Sequence, residues 1–279
     1  AEGVNRLLLE KIGLVEKLNP DHVALGVKEV LSLNPSLIEE RFMLGKDEGL
    51  AWFVAGDVTL GLPGGGFIYT MRDSISIGLV LPIGPAARAA EAGLLNEHVS
   101  RLVEAFRLHP YFRNLWREAD VIEYGGRMTI EAGLKLMPRK LYMNGLLVVG
   151  DAAGFLVNTG YTIRGVDMAV TSGRLAAEAL IGAFNSGGPT EENLKSYEEK
   201  IRKSYIYREL ENHSGIGDVM SDPFFFQKLP QIILKAAGKL FEADYEEPKL
   251  IRSFLNAANE ENISLLKTIY RLGKVAGKL

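Results

Sequence analysis

The sequence predicts an α+β fold, and three observations carry that prediction. Residues 16–140 hold several short runs of β-rich, alternating character. A compact apolar run, Leu146–Val149, then passes through Gly150-Asp151 into a long helical pattern ending near Phe184. Beyond Asn185 the chain is almost wholly helical in pattern. We therefore expect a lobe with a mostly antiparallel sheet, a strand–loop–helix unit and a C-terminal helical region.

The elements follow in order. The opening AEGVNRLLLEKIGL reads as a turn and then a helix, with Asn5 as a cap and Leu7, Leu8 and Ile12 apolar. No strand precedes it, which suggests the middle of a fold. His22–Leu33 alternates and suits a strand, and Pro35 opens a short helix through Leu44. Leu50–Leu60 reads as a strand broken at Gly56-Asp57. Gly64-Gly65-Gly66 leads into a hairpin, Phe67–Met71 and Ser74–Leu81, turning at Arg72-Asp73. The triple glycine lacks the Lys-Ser/Thr of a phosphate-binding P-loop, so a tight turn or a close backbone approach to a ligand is expected.

Ala86–Leu108 is expected to be helical, with Arg88, Glu91, Glu97, Arg101 and Glu104 on a solvated face. His109-Pro110 breaks it, and Tyr111–Glu118 makes another short helix. Asp120–Ala132 reads as a strand with a bulge at Gly125-Gly126, and Gly133–Asn144 as a loop. After the long helix, Asn185–Pro189 is a C-cap and linker, and Thr190-x-x-Asn193 starts a new helix. Asp222–Phe241 is aromatic and amphipathic, with Lys228, Lys235 and Lys239 on its polar side. Such a helix covers a core or channel, or seats on a membrane surface. Pro248 begins the last helices.

Composition narrows the function. The chain has 279 residues, 47% of them hydrophobic, and a net charge of −3. That balance gives no reason to expect nucleic acid. No uncharged apolar run reaches the roughly 18 residues of a membrane-spanning helix. The first residues lack the charged and apolar regions of a signal peptide. A cytoplasmic location is therefore expected, with peripheral attachment to the inner face of the membrane as an option. With no cysteine, the chain has no disulfide, zinc-thiolate or Cys-ligated iron–sulfur site. Its histidines, His22, His98, His109 and His213, have no metal-ligand spacing, and no metal is expected.

The chemistry concentrates at residues 145–184. Leu146–Val149 is short and apolar, as a parallel strand buried on both faces would be. The helix is expected from Thr162–Arg164 to Phe184, with Gly165, Ala169, Gly173, Ala176 and Leu180 on one face to admit a close backbone. At a strand's carboxyl end facing a helix N-terminus, free N–H groups and the helix dipole favour an anion. Asp151, at the strand exit, is placed to accept hydroxyl hydrogens, or to cap the helix in an ordinary strand–loop–helix unit. Without further knowledge this is a nucleotide or phosphate-ligand site.

GLLVVGDAAGF, NTGYTIRG and SGRLAAEA together resemble the second FAD-binding motif of one flavoprotein family. It contains the electron-transfer-flavoprotein:quinone oxidoreductases, the FixC dehydrogenases and the geranylgeranyl reductases. AEGVN is similar to the segment closing their first nucleotide-binding portion, and GGGFIYTMRDSISIGLVL to their substrate-domain hairpin. The matches spread over residues 1–184 in the family's order, and NTGYTIRG after GDAAGF leans to the FixC type.

The resemblance implies a partial FAD-binding, glutathione-reductase-like domain from residues 1–15 and 141–185. Residues 16–140 would be the substrate lobe and 186–279 the helical region. It also implies roles. Asp151 would bond a ribityl or ribose hydroxyl of FAD. Backbone N–H groups near Ala152 and Ala153 would face the pyrophosphate. Gly160, Arg164, Gly165 and Val166 would line the flavin's pyrimidine edge, where a helix N-terminus stabilises the negative charge of the reduced ring. Glu2 and Gly3 would lie near the cofactor domain's edge, where the family usually has Asp in place of the glutamate. No acid–base residue is assigned.

The family's G-x-G-x-x-G strand–turn–helix, which holds the ADP moiety, is absent. The expectation is the C-terminal part of a longer flavoprotein that alone binds FAD weakly or not at all. Exposed apolar surface and self-association are expected with it. Lack of cysteine excludes the 4Fe–4S cluster of the mitochondrial-type quinone oxidoreductases. A FixC-like dehydrogenase is implied, passing electrons between an electron-transfer flavoprotein and a quinone or ferredoxin-like partner. A geranylgeranyl reductase acting on an isoprenoid is the alternative, and a cofactor-free interaction module a further one.

Overall fold

The computed structural model describes residues 2–96, 98–130, 133–160, 162–220, 222–242 and 249–276. The chain forms two compact units. Among the described residues, unit 1 comprises those up to Ala24 together with Arg127–Asp218, and unit 2 comprises Leu25–Gly126 and those within Val219–Gly277.

Unit 1 opens on α1 (Glu2–Lys11). The chain then enters the sheet of unit 2 through β1 (Val23–Ser32). Next comes α2 (Pro35–Phe42), capped by the Asn34 side chain, which accepts the Ser36 N–H, with Pro35 at its first position. β2 (Ala51–Val54), β3 (Gly65–Thr70) and β4 (Ser74–Pro82) follow. They are followed by α3 (Ile83–Glu91), α4 (Val99–Leu108) and β5 (Asp120–Ile130). The strand order is β2-β3-β4-β1-β5. β3 and β4 form the expected hairpin, antiparallel, with Ile68 opposite Ile77 and Thr70 opposite Ile75. Its alternation buries Ile68, Ile75, Ile77, Leu79 and Leu81 against Phe106, Phe112 and Trp116. Each such side chain contributes roughly 1.5–3 kcal/mol.

Several expectations shift here. Residues 57–59 form a 3-10 turn, so the second strand stops at Val54. The helix expected over 86–108 is two helices, separated around Gly93, whose φ is +70°. Residues 111–118 form turns in place of a helix. The triple glycine approaches its own sheet: a Cβ on Gly64 would lie 2.1 Å from the Val80 carbonyl oxygen, and one on Gly65 2.9 Å from that of Val54. Close strand packing accounts for these glycines without a ligand.

Unit 1 resumes with β6 (Tyr142–Met143) and β7 (Leu146–Leu147), an antiparallel pair. The buried parallel strand expected over 146–149 is therefore a short hairpin arm. Its backbone finds its partner in Leu141–Met143, and the Val148 N–H donates to the Leu141 carbonyl at 2.9 Å. Then come β8 (Val157–Asn158), β9 (Ile163–Arg164) and α5 (Val166–Asn185). α6 (Glu191–Lys203) begins as expected, with Thr190 Oγ1 accepting the Asn193 N–H. The Asn193 amide returns hydrogen bonds to the Ser186 and Gly188 carbonyls. α7 (Tyr205–Asn212) and α8 (Ile216–Met220) follow. Thus 186–218 packs within unit 1, and the remainder of the C-terminal region belongs to unit 2.

In unit 2 a π-helical turn (Phe224–Lys228) leads into α9 (Leu229–Phe241). α10 (Leu250–Glu260) and α11 (Leu265–Ala276) complete the described chain, while Pro248 lies outside the described residues. The polar side of α9 faces α10: Lys228 and Lys235 pair with Glu261, and Lys239 with Glu260.

Candidate functional site

The site is built in unit 1, where β7 runs through Val148 into a 3-10 turn, Gly150–Ala153. Two left-handed glycines shape it. Gly150 has φ +58°, and a Cβ there would meet the Ala169 Cβ at 3.3 Å. Gly154 has φ +77°, and a Cβ there would meet the Gly133 carbonyl at 3.3 Å. The turn therefore lies flush against the first turn of α5. Of the small-residue face expected on α5, Ala169 makes this approach, while Gly173 faces open space. Ala176 of that face is buried, together with Met168, Ser172, Leu175, Ala179 and Ala183.

Buried hydrogen bonds fix the turn. The Gly150 N–H donates to Ser172 Oγ at 3.0 Å, and that hydroxyl donates to the Ala169 carbonyl. The Tyr197 hydroxyl, from α6, donates to the Val148 carbonyl at 2.9 Å. Burial pushes the Tyr197 phenol well above its ordinary range, so it stays a neutral donor. α1 packs on the same turn, with Leu9 in one core with Ala153, Phe155 and Met168.

Asp151 lies beside the start of α5. Its Oδ1 is 3.3 Å from where a Cβ on Gly165 would stand. Gly165 is the N-cap of α5 and makes no side-chain cap hydrogen bond. The structure thus brings together Asp151, Ala152, Ala153, Gly165 and Val166 at a helix N-terminus. The helix starts later than expected because residues 162–164 are extended by the β8–β9 pairing. Gly160 consequently sits in that hairpin, with φ +86° and its N–H on Asn158 Oδ1, and Arg164 sits on β9. Glu2 and Gly3 open α1, and the side chain of Glu2 lies outside the described residues.

Arg164 is engaged within the protein. Its Nη2 donates to Asp167 Oδ2 at 2.6 Å and its Nη1 to Glu209 Oε2 at 2.9 Å. Tyr205 donates its hydroxyl to the same Asp167 oxygen at 2.9 Å. The Arg164 hydrogen bond holds the Asp167 carboxyl below its ordinary range, and the same bond raises the guanidinium. These pairs tie β9, the first turn of α5 and α7 into one clamp. Tyr205 and Glu209 lie about forty residues beyond Arg164 and Asp167, so no local motif joins the two halves.

The arrangement suits a dinucleotide on two counts. The N-terminus of α5 carries no side-chain cap, and the glycine there lets the Asp151 carboxylate lie close against the helix start. In α1, which packs on the turn, Arg6 is only 2% exposed, and its Nε and Nη1 have no hydrogen-bond partner among the described residues. Burial lowers its pKa, which Glu10 partly opposes. Two buried guanidinium nitrogens without partners are costly, and an anion would satisfy them. Its sequence signal is a cation three residues before Leu9, on the helix face that the core covers. Among the described residues no group of acidic, histidine or cysteine side chains could hold a metal.

No protein-family profile matches the chain. The chain is 36% identical over 269 residues to the probable electron transfer flavoprotein-quinone oxidoreductase YdiS of Escherichia coli (strain K12). The match covers 96% of this chain and 61% of that protein. This chain is a relative of the FixC and electron transfer flavoprotein-quinone oxidoreductase proteins. Protein FixC of Escherichia coli O157:H7 is 34% identical over 252 residues, covering 90% of this chain and 57% of that protein. YgcN of strain K12, also named a probable electron transfer flavoprotein-quinone oxidoreductase, is 35% identical over 256 residues, with coverages of 91% and 59%. The chain thus spans about three-fifths of these relatives. The fold resembles the crystal structure of a geranylgeranyl bacteriochlorophyll reductase-like protein from Thermoplasma acidophilum, with TM-score 0.53 at 15% identity, covering 93% of this chain and 56% of that one.

Proposed function

We propose that this FixC relative is part of an FAD-dependent dehydrogenase. It would pass electrons between an electron-transfer flavoprotein or similar donor and a quinone or ferredoxin-like partner, at the face of a membrane. The observation that carries the reading is Asp151 beside the uncapped N-terminus of α5, in a chain 34–36% identical to these relatives.

The flavin, when bound, would supply the two-electron redox chemistry. The protein's work would be binding and orientation. Asp151 would accept the hydrogen of a ribityl or ribose hydroxyl. The N–H groups of Ala152 and Ala153 would face the pyrophosphate. Gly165 and Val166, with Gly160 and Arg164 behind them, would line the pyrimidine edge. There the positive end of α5 favours charge on the reduced ring, a contribution of about 0.3–1 kcal/mol. Glu2 and Gly3 would lie at the cofactor's border, and Arg6 would take an anionic group of the cofactor.

The reading is tested by expressing the longest reading frame that contains this chain. The expected result is a yellow protein whose reduced flavin is reoxidised by a quinone or a ferredoxin. A colourless protein that gains no flavin on reconstitution would overturn it. Reoxidation by a geranylgeranyl substrate alone would move the assignment to the isoprenoid reductases.

A further inference from the structure

We infer that α11 docks on a membrane surface rich in anionic phospholipid. The inference rests on the proposal that the protein works at a membrane, and it names the element that touches the lipid. From Ile263 to Leu279 the charged residues are Lys267, Arg271, Lys274 and Lys278, with no acid among them. On α11, Leu266, Ile269 and Tyr270 fall on one face by their spacing and are 57–78% exposed. Lys267 and Lys274 flank that face, with Lys274 Nζ 4.8 Å from the Tyr270 ring centre. The opposite side is anchored. Thr268 is buried, and Arg271 pairs with Asp222 at 2.9 Å while lying over the Phe224 ring.

The neighbouring acids do not neutralise this face. Glu260 and Glu261 of α10 are engaged by Lys228, Lys235 and Lys239. Lys267 and Lys274 have no acidic partner among the described residues. The acids Glu242, Asp244, Glu246 and Glu247 lie before α10 in sequence, so the charge argument belongs to α11 alone. α9 adds an outer apolar face, Ile233, Leu234 and Phe241, all more than half exposed, on the side away from its paired lysines.

An exposed apolar stripe bordered only by cations has the chemistry of an interfacial helix, whose apolar side enters the headgroup boundary while lysines meet lipid phosphate. A second copy is a poor occupant, because two such faces would oppose cation to cation. Among the described residues no helix is long and apolar enough to cross a membrane, and docking of this kind needs none.

The test is co-sedimentation of the whole chain with two kinds of vesicle. One is phosphatidylcholine alone and the other is phosphatidylcholine mixed with phosphatidylglycerol. Binding is expected only to the second kind, falling with salt. Lys267→Glu and Lys274→Glu should each weaken it by at least about fivefold, the usual effect of one basic residue near an anionic surface. Ile269→Asp should abolish it, with the circular-dichroism spectrum unchanged. Absence of binding, equal binding to both vesicles, or indifference to these substitutions would overturn the inference. So would a dimer that the same substitutions dissociate in the absence of vesicle binding. Flavin content, read from the absorption spectrum, tests the electron-transfer proposal separately.

Discussion

Asp151 Oδ1 stands 3.3 Å from the position a Cβ on Gly165 would occupy. The same Cβ would lie 3.4 Å from the Phe155 carbonyl and from Leu156 Cδ1. Gly165 has φ −156°, which alanine also adopts, so crowding is the main new effect of a methyl group. Gly165→Ala should cost about 1 kcal/mol of stability, the usual difference between glycine and alanine at an N-cap. In the flavin-loaded protein it should weaken FAD binding by about tenfold or more, because a hydrogen bond to a charged group contributes roughly 1.5–3 kcal/mol and the methyl group would displace its carboxylate. Thermal melting and fluorescence titration with FAD separate the two effects.

Tyr197→Phe tests the support of the turn. The substitution removes the donor of a 2.9 Å bond and leaves the Val148 carbonyl buried without it. Unfolding free energy from urea titration should fall by about 1–3 kcal/mol. An unchanged midpoint would show that water replaces the hydroxyl.

Arg6→Met should separate stability from ligand affinity. With two buried nitrogens unpartnered among the described residues, removing the charge should stabilise the ligand-free chain by about 1–3 kcal/mol. If the guanidinium serves an anionic cofactor group, the same change weakens FAD binding. A rise in Tm with unchanged FAD affinity would assign Arg6 to some other anion.

The Arg164–Asp167 clamp predicts a pH dependence. The folded carboxyl lies below its ordinary 3.8, chiefly through the Arg164 hydrogen bond. Its contribution is therefore present above 3.8 and is lost as pH falls through the lower folded value. Asp167 is 40% exposed, so solvent screens the pair and the effect is modest. Urea midpoints of Asp167→Asn should fall less steeply below pH 3.8 than those of the wild type. Parallel curves would remove Asp167 from the acid transition.

The outer face of α5 predicts self-association. Val166, Val170, Ile181 and Phe184 recur at helical spacing and are 64–81% exposed. Sedimentation velocity should show concentration-dependent growth, reduced by Ile181→Asp with Phe184→Asp.

The legible parts of this protein were local. The β3–β4 hairpin is β-rich on both arms and turns at polar residues, and Thr190 announces α6. Gly150-Asp151 marked the turn because glycine and aspartate each have few reasons to end an apolar run. Nothing in Thr162–Arg164 forbids helix, and it is the strand pairing of Val157 with Arg164 that delays the start of α5 to Val166. Leu146–Val149 has the composition of a buried parallel strand, but composition reports burial, whereas pairing depends on which backbone lies alongside. Tyr197 falls between Leu194 and Ile201 in the buried stripe of α6, so periodicity could have found its burial. Its partner Val148, 49 residues earlier, could not be read from spacing.

The central claim is that the Asp151 turn and the α5 N-terminus hold a flavin. Equilibrium titration of FAD into the protein from its longest reading frame, wild type beside Asp151→Ala, tests it most directly. The account predicts an affinity loss of at least about tenfold, since one charge-assisted hydrogen bond to the ligand is removed. Equal affinities in the two proteins would contradict it.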